Sequence, residues 1–437
     1  MCESDNIATF LKKFKNVQDK FLYFLENDEN IDENFQNLKK LFIVTKLRDS
    51  QHDLKLFLRL LLKVTNNYHR GPIFFGKIFQ ILQLFKDDIK KYKNDEIFQL
   101  FKSNKRILLF LIEEQILTVD EYFVKQIIKE KYLAKEYPQY FAPEIRPYLN
   151  EKWFPEYNSF EEDLEENEWV EQIKEVLPDN FYELRKIGEN DNYLCKLIRE
   201  DSVIDFISYV NKSCISLNKI IEPSIYETNS FLVKKQKNTT LIEYAAFFGS
   251  IQIFNYLKFN KVNLKPSLWI DVIHSKNAEL IHLLEDNHID PIISVVKNDE
   301  EIKEGSFKEC FNESIKCHHN DIANYFLQNY LQNENEIPNE TIIKYYNFAF
   351  LQKENVNEYF CYLCYYDYYS LSKVILTSRD VNINGTAIQI VYINKIQNHV
   401  FQLDSKSFFQ WNSKSYLSIK LKTYLSIKFK IIFSKEI

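Results

Sequence analysis

The sequence predicts an all-α protein, and three observations carry that prediction. Apolar residues recur at three- and four-residue spacing through most of 1–150 and again through 188–387, the period of helices that bury one face. Only 6 glycines and 10 prolines occur in 437 residues, too few turn residues for a sandwich or barrel and too few glycine loops for a Rossmann-type sheet. The 45% hydrophobic and 16% aromatic fractions supply a core, and 27% charged residues is ordinary for a folded chain. At roughly 150 residues per domain the length suggests about three domains or one long solenoid.

The first region, 1–150, reads as helix after helix: IATFLKKFKNVQDKFLYFLE, NFQNLKKLFIVTKL and DLKLFLRLLLKV. Ser50 and Asp53 are placed to open the third as cap and first-turn charge. Gly71-Pro72 interrupts the pattern and FFGKIFQILQLF resumes it. The segment FKSNKRILLFLIEEQILTVDEYFVKQII then reads as a further helix pair. Prolines 138, 143, 147 and 155 announce a change of packing, followed by an acidic run of Glu161, Glu162, Asp163, Glu165, Glu166 and Glu168. The stretch 151–187 is therefore expected to be a boundary or linker. The run has neither EF-hand spacing nor a turn glycine, so a solvated acidic face is expected over a calcium or peptide site.

The most informative segment is LIEYAAFFGSIQIFNYL, 241–257. Ala245 and Ala246 let backbones approach, Gly249 turns the corner in a left-handed conformation, and Ile251, Ile253, Phe254 and Leu257 form the apolar face of a second helix. The pattern echoes downstream. A shift of 27 sets Gly249 on Lys276, Ile253 on Leu280 and Leu257 on Leu284. A shift of 69 sets Ala245 on Ser314, Gly249 on His318 and Ile253 on Ile322, and a shift of 118 sets Gly249 on Asp367, Ile253 on Leu371 and Leu257 on Ile375. Upstream, DSVIDFISYV (201–210) reads as a related second helix. Recurrence at tens of residues signals a stack of helix pairs.

The segment TLIEYAAFFGSIQIFNYL resembles the ankyrin-repeat pattern T-P-L-H-x-A-A-x-x-G-H with its apolar second helix. The match rests on Thr240, Leu241, Ala245, Ala246, Gly249 and Leu257. The later stretch YYSLSKVILTSRDVNINGTAI resembles the end of one unit, with the Asp380-Val381-Asn382 finger, and the Thr386-Ala387 opening of the next. With PSLWIDVIHSKNAELIHLLEDN and ESIKCHHNDIANYF, residues 188–387 resemble a divergent ankyrin-type family of unicellular eukaryotes whose core is known only as a domain of unknown function. The resemblance implies a helical solenoid with a divergent helical N-terminal half. It also implies a signature at Thr240, Leu241, Ala245, Ala246, Gly249, Ile253, Leu257, Asp380 and Asn382. The spacing departs from the usual period of about 33: Lys276 replaces the turn glycine in the second unit and His318-His319 stands there in the third. Regular binding fingers are thus not expected. In the tail, 388–437, YLSIKLK and YLSIKFK repeat with strict alternation. That is a strand signal, with a diverged, truncated or disordered last repeat as the alternative.

Candidate chemistry is sparse. Cys361-x-x-Cys364 with Cys310, Cys317, His318 and His319 offers soft zinc ligands. However, consecutive residues at a helix end point different ways, so a structural role is expected and no metal or cofactor is assigned. As a redox pair the Cys-x-x-Cys lacks a βαβ setting. His274, His282 and His288 share a helix face only if the helix runs through Lys276, where a turn is expected. The basic aromatic tail from Lys406 to Lys435 is an exposed-edge liability before it is a lipid or nucleic-acid contact. No phosphate-binding loop, metalloprotease, serine-hydrolase or kinase signature occurs.

A net charge of −6 and a pI of about 5.9 argue against nucleic acid as the partner. The most apolar run, Ile107 to Ile112, is far short of the roughly 20 residues of a membrane span. The N-terminus shows no secretory pattern, and seven sparse cysteines suit reduced thiols in the cytosol or nucleus. The expected function is non-catalytic binding of another protein through the first-helix face and the loops Lys258 to Ser267 and Asp286 to Ser306. An adaptor feeding a larger assembly is the alternative, and an enzyme with an unrecognised site a more distant one.

Overall fold

A computed structural model of the chain describes residues 4–71, 73–129, 136–148, 177–235, 238–291, 293–297, 300–304, 306–332, 339–353 and 359–377. These residues are all-α apart from one short hairpin, and they lie within a single compact unit, Met1–Arg379. The acidic run, the Asp380 and Asn382 finger and the alternating tail fall outside the described residues.

The N-terminal half follows the apolar periodicity. α1 (Ser4–Glu26) buries Phe10, Phe14, Val17, Phe21 and Phe24 along one stripe. α2 (Ile31–Val44) contributes Leu38 and Phe42. α3 (Gln51–Asn67) is buried on nearly every side, from Leu54 to Asn67, and Ser50 caps it by accepting from the Asp53 amide at 3.2 Å. After the Gly71-Pro72 break come α4 (Phe74–Leu84), α5 (Lys86–Ile89), α6 (Asn94–Phe101) and α7 (Lys105–Glu113). They are followed by α8 (Glu121–Lys129), α9 (Tyr137–Tyr140) and α10 (Ala142–Ile145). Among the described residues no helix is long and apolar enough to cross a membrane. The Ile107 run is instead the buried face of α7.

From α11 (Phe181–Ile187) onward the chain makes successive helix pairs. They are α12 (Tyr193–Arg199) with α13 (Val203–Lys212), then, after α14 (Ser230–Lys235), α15 (Leu241–Phe248) with α16 (Ile251–Phe259). Next are α17 (Leu268–Ser275) with α18 (Ala278–Asp286) and α19 (Phe307–Lys316) with α20 (Asn320–Asn329). α21 (Asn339–Lys344) follows, and α22 (Phe360–Tyr365) pairs with α23 (Tyr369–Thr377). The first helices pack in chain order, α12 on α15, α15 on α17, α17 on α19 and α19 on α21. Between α18 and α20, in what the sequence marks as a loop, β1 (Ile293–Lys297) and β2 (Glu300–Glu304) form an antiparallel hairpin, Ile293 opposite Glu304 and Lys297 opposite Glu300.

The turn aligned from the sequence is a real structural repeat. Gly249, Lys276, His318 and Asp367 all adopt positive φ, at 73°, 55°, 59° and 66°. Asp201 does so at 47° and Tyr346 at 59°. At five of these six turns the next residue donates its amide five residues back: Ser202 to Leu197, Ser250 to Ala245, His319 to Ser314, Asn347 to Ile342 and Tyr368 to Leu363, all at 2.9–3.0 Å. This closes the helix end in a Schellman turn. Only the first of the echoed units uses glycine for it. The others hold an L-residue in a conformation that costs about 1–2 kcal/mol, so glycine spacing alone understates the repeat. The turn at Tyr346 had no counterpart in the sequence alignment.

Candidate functional site

The signature residues form one packing unit. Leu241, Ala245, Ala246, Ile253 and Leu257 are each fully buried. The Glu243 carboxylate accepts from the Thr240 amide and hydroxyl, both at 2.9 Å, closing the N-terminus of α15. The small side chains of Ala245 and Ala246 face close neighbours, since α15 packs against α12, α16 and α17. At Gly249 an added Cβ would meet Ser275 Cβ at 3.4 Å, ordinary contact, so it is the positive φ that calls for glycine. Asp380 and Asn382 lie outside the described residues.

The first helices α15 and α17 are closed. Every residue from Leu241 to Phe247 is buried, as are Leu268, Trp269, Asp271, Val272, Ile273 and His274 of α17. At these two helices the face expected to meet a partner is packed inside the fold, α15 lying against α12, α16 and α17. Large apolar side chains that stay exposed include Ile43 and Val44 of α2 and Ile204 of α13, at 75%, 78% and 79%, and Phe259. Phe259, at the end of α16 and inside the 258–267 segment, is 86% exposed, and Lys261 turns the chain there with φ 61°.

The histidines and cysteines fall into separate settings. His318 pairs through Nε2 with the Tyr345 carbonyl at 3.0 Å, and His319 through Nδ1 with the Ile273 carbonyl at 2.7 Å, so the two do point apart. His282 is exposed beside Glu285, 2.9 Å away, whereas His274 is buried, with the Lys276 turn between them. Cys364 Sγ lies 3.8 Å from the Ser372 hydroxyl, away from Cys317. The group that does assemble is His274, Glu313 and Cys317, whose donor atoms all lie within 4.8 Å. Sequence reasoning did not bring the three together, because neither His274 nor Glu313 was among the candidate zinc ligands. The available signal was Glu313 on α19, four residues before Cys317 at the helix end.

The geometry of that group is a hydrogen-bonded histidine and does not fit a metal centre. Glu313 Oε1 takes the His274 Nε2 position at 2.7 Å, and Lys316 Nζ reaches the same oxygen at 2.6 Å. Cys317 Sγ is 3.4 Å from Nδ1 and 3.7 Å from Nε2. Near-equal distances put the sulfur over the ring face, since in the ring plane it would collide with the carbon between the nitrogens. A metal needs to approach a nitrogen along its in-plane lone pair. Burial alone would raise the Glu313 pKa, but the His274 hydrogen bond and the Lys316 charge outweigh it and hold the carboxyl at about 2. Burial keeps His274 below its ordinary value despite that carboxylate. The state this supports is a neutral imidazole donating to an ionised Glu313.

Around it, His69 is held at about 4 by burial and by Lys276, against Glu26, and His318 at about 4 by burial, against its bond to the Tyr345 carbonyl. Burial, and then the neighbouring His69, hold His319 well below its ordinary value. The His69 and His319 rings are 5.4 Å apart, and Tyr68 stands 5.1 Å from His319. Elsewhere a narrow cleft is lined by Asn190, Glu227, Thr239 and Tyr244. Its Glu227 carboxylate is already engaged by the Asn190 and Asn229 amides at 3.3 and 2.8 Å.

Compared with known protein families, with curated proteins and with solved structures, the chain matches none.

Proposed function

We propose that this chain is a non-catalytic protein-binding scaffold of ankyrin-like type, with its docking edge on the loops 258–267 and 286–306. The observation that carries the reading is the 86% exposure of Phe259, where α16 runs into the 258–267 loop, beside the burial of α15 and α17. An exposed aromatic beside polar loop residues is the composition of an interface anchor. The row of left-handed turns supports the repeat architecture. The polar groups that would serve an enzyme, His274, Glu313, Cys317 and His319, are bonded to one another or to backbone inside the packing. The acidic balance of the chain favours a protein over a nucleic acid. An adaptor is the second reading, but the N-terminal helices that would form its separate module pack into the same unit as the array. We place the protein in the cytosol or nucleus.

Affinity purification followed by mass spectrometry tests this, comparing wild type with Phe259→Asp and with 293–304 replaced by a Gly-Ser linker. A partner retained by wild type and lost from either folded variant supports the reading. A captured set identical for all three proteins overturns it.

A further inference from the structure

Five cations from four helices converge where α3 meets the array. Arg59 and Lys63 lie one turn apart on α3, Lys234 is on α14, Lys316 on α19 and Lys344 ends α21. The Lys63 ammonium is 5.5 Å from the centre of the Tyr345 ring, and the Lys344 ammonium is 5.8 Å from the same ring. Lys316 is 5.7 Å from the Phe231 ring. Two of the five have carboxylates: Lys316 has Glu313 at 2.6 Å and Arg59 has Asp367 at 2.5 Å. The largest charge effects on Lys63 come from Lys344, Arg59, Lys234 and Lys316, all of its own sign. Burial first, and then these four, lower its pKa to about 8.

Such a cluster is costly in an empty protein. A desolvated ammonium wants an anion, and aromatic faces supply only about 1 kcal/mol of compensation. The chain as a whole carries −6, so the excess of positive charge is local. Lys344 and Lys234 are exposed while Lys63, Lys316 and Tyr345 are half-buried, so the cluster reaches from solvent into the packing. Several ammonium point charges around one space suit a multiply charged tetrahedral anion better than a single carboxylate.

We infer that the basin formed by Lys63, Lys316, Lys344 and Tyr345 binds a phosphate group, supplied either as inorganic phosphate or by a phosphorylated side chain. The site is independent of the loop edge proposed for docking.

Isothermal titration and thermal melting of the full chain test it, using inorganic phosphate against chloride at matched ionic strength. A phosphoserine peptide and its serine counterpart serve as second probes. Wild type is expected to bind phosphate saturably and to melt at higher temperature in its presence. Lys63→Met, which keeps the apolar stem, is expected to bind about tenfold more weakly. It should also melt higher than wild type without phosphate, because the repelled charge is gone. Lys344→Gln, at the exposed end of the cluster, should weaken binding with the fold intact. Phosphopeptide binding that inorganic phosphate displaces assigns the group to a modified protein, and phosphate binding alone assigns the free ion. The proposal is overturned if acetate matches phosphate, if wild type shows no saturable phosphate binding, or if both variants bind like wild type.

Discussion

The side-chain amides of Gln18 and Asn347, 329 positions apart, meet in a buried hydrogen bond of 2.9 Å. Gln18 Oε1 also accepts from the Phe348 amide at 2.6 Å, and Asn347 donates to the Ile315 carbonyl at 3.1 Å and to Asn320 Oδ1 at 2.8 Å. One amide pair thus ties α1 to the Tyr346 turn and to the α19–α20 pair. Neighbouring turns repeat the device: Lys276 bonds Glu26, His319 stands against Tyr68 and His69, and Asp367 pairs with Arg59. The N-terminal helices are seated along the row of turns.

Asn347→Ala removes the bonds to Gln18, Ile315 and Asn320 and a fourth, from the Ala349 amide to Asn347 Oδ1 at 3.3 Å, and strands buried partners. Its expected cost is about 2–3 kcal/mol, the desolvation of groups left unpaired. Gln18→Ala should cost a similar amount. The double variant should cost clearly less than the sum, because the pair acts as a unit. Denaturant unfolding of the four proteins measures this, and simple additivity would contradict a shared bond.

Gly249→Ala and Lys261→Gly should move stability in opposite directions for one reason. Both positions have positive φ, 73° and 61°. Alanine at 249 incurs about 1–2 kcal/mol of left-handed strain. Glycine at 261 relieves it, less the entropy glycine adds to the unfolded chain, for a net gain of roughly 0.5 kcal/mol. Melting temperatures of the two variants check the signs.

Ala245→Leu should destabilise by about 1–3 kcal/mol through overpacking. Ala245 is fully buried where α15 meets α12, α16 and α17. A variant as stable as wild type would mean that the helices are not in close contact there.

Acid should loosen the α3–array seam before it touches the rest. His69 and His318 have folded pKa values of about 4, below the unfolded value near 6.5. The unfolded chain therefore binds more protons between these limits, and stability is full above about 6.5 and falls as pH drops toward 4. Each histidine accounts for at most about 3 kcal/mol by that shift. Glu313, depressed to about 2, adds a loss only below the ordinary carboxylate range. Unfolding free energy at pH 7, 5.5 and 4.5 should fall steadily, and His318→Asn should flatten the slope.

The legible part of this protein was periodic. Apolar spacing located α1, α3, α4 and the α15–α16 pair, and the shifts of 27, 69 and 118 found turns at Lys276, His318 and Asp367 that carry no glycine. Side-chain pattern survives because each position must fill the same space in every unit. The His274–Glu313–Cys317 group was hidden because its members come from two helices whose apposition no local spacing encodes. The Lys63, Lys316 and Lys344 cluster was hidden for the same reason, being drawn from three helices.

The sequence by itself determined the helical class and the helix pairs that turn at Gly249, Lys276, His318 and Asp367. Those follow from local physics, namely a period of 3.6 and small residues where backbones approach. Only the tertiary structure decided that the N-terminal helices lie along the turns, that α15 and α17 are closed, and that Lys63 of α3 and Lys344 of α21 meet at the Tyr345 ring. Contacts such as Gln18 with Asn347 and Arg59 with Asp367 span more than 300 positions. They are selected by how whole surfaces fit, which no window of sequence contains.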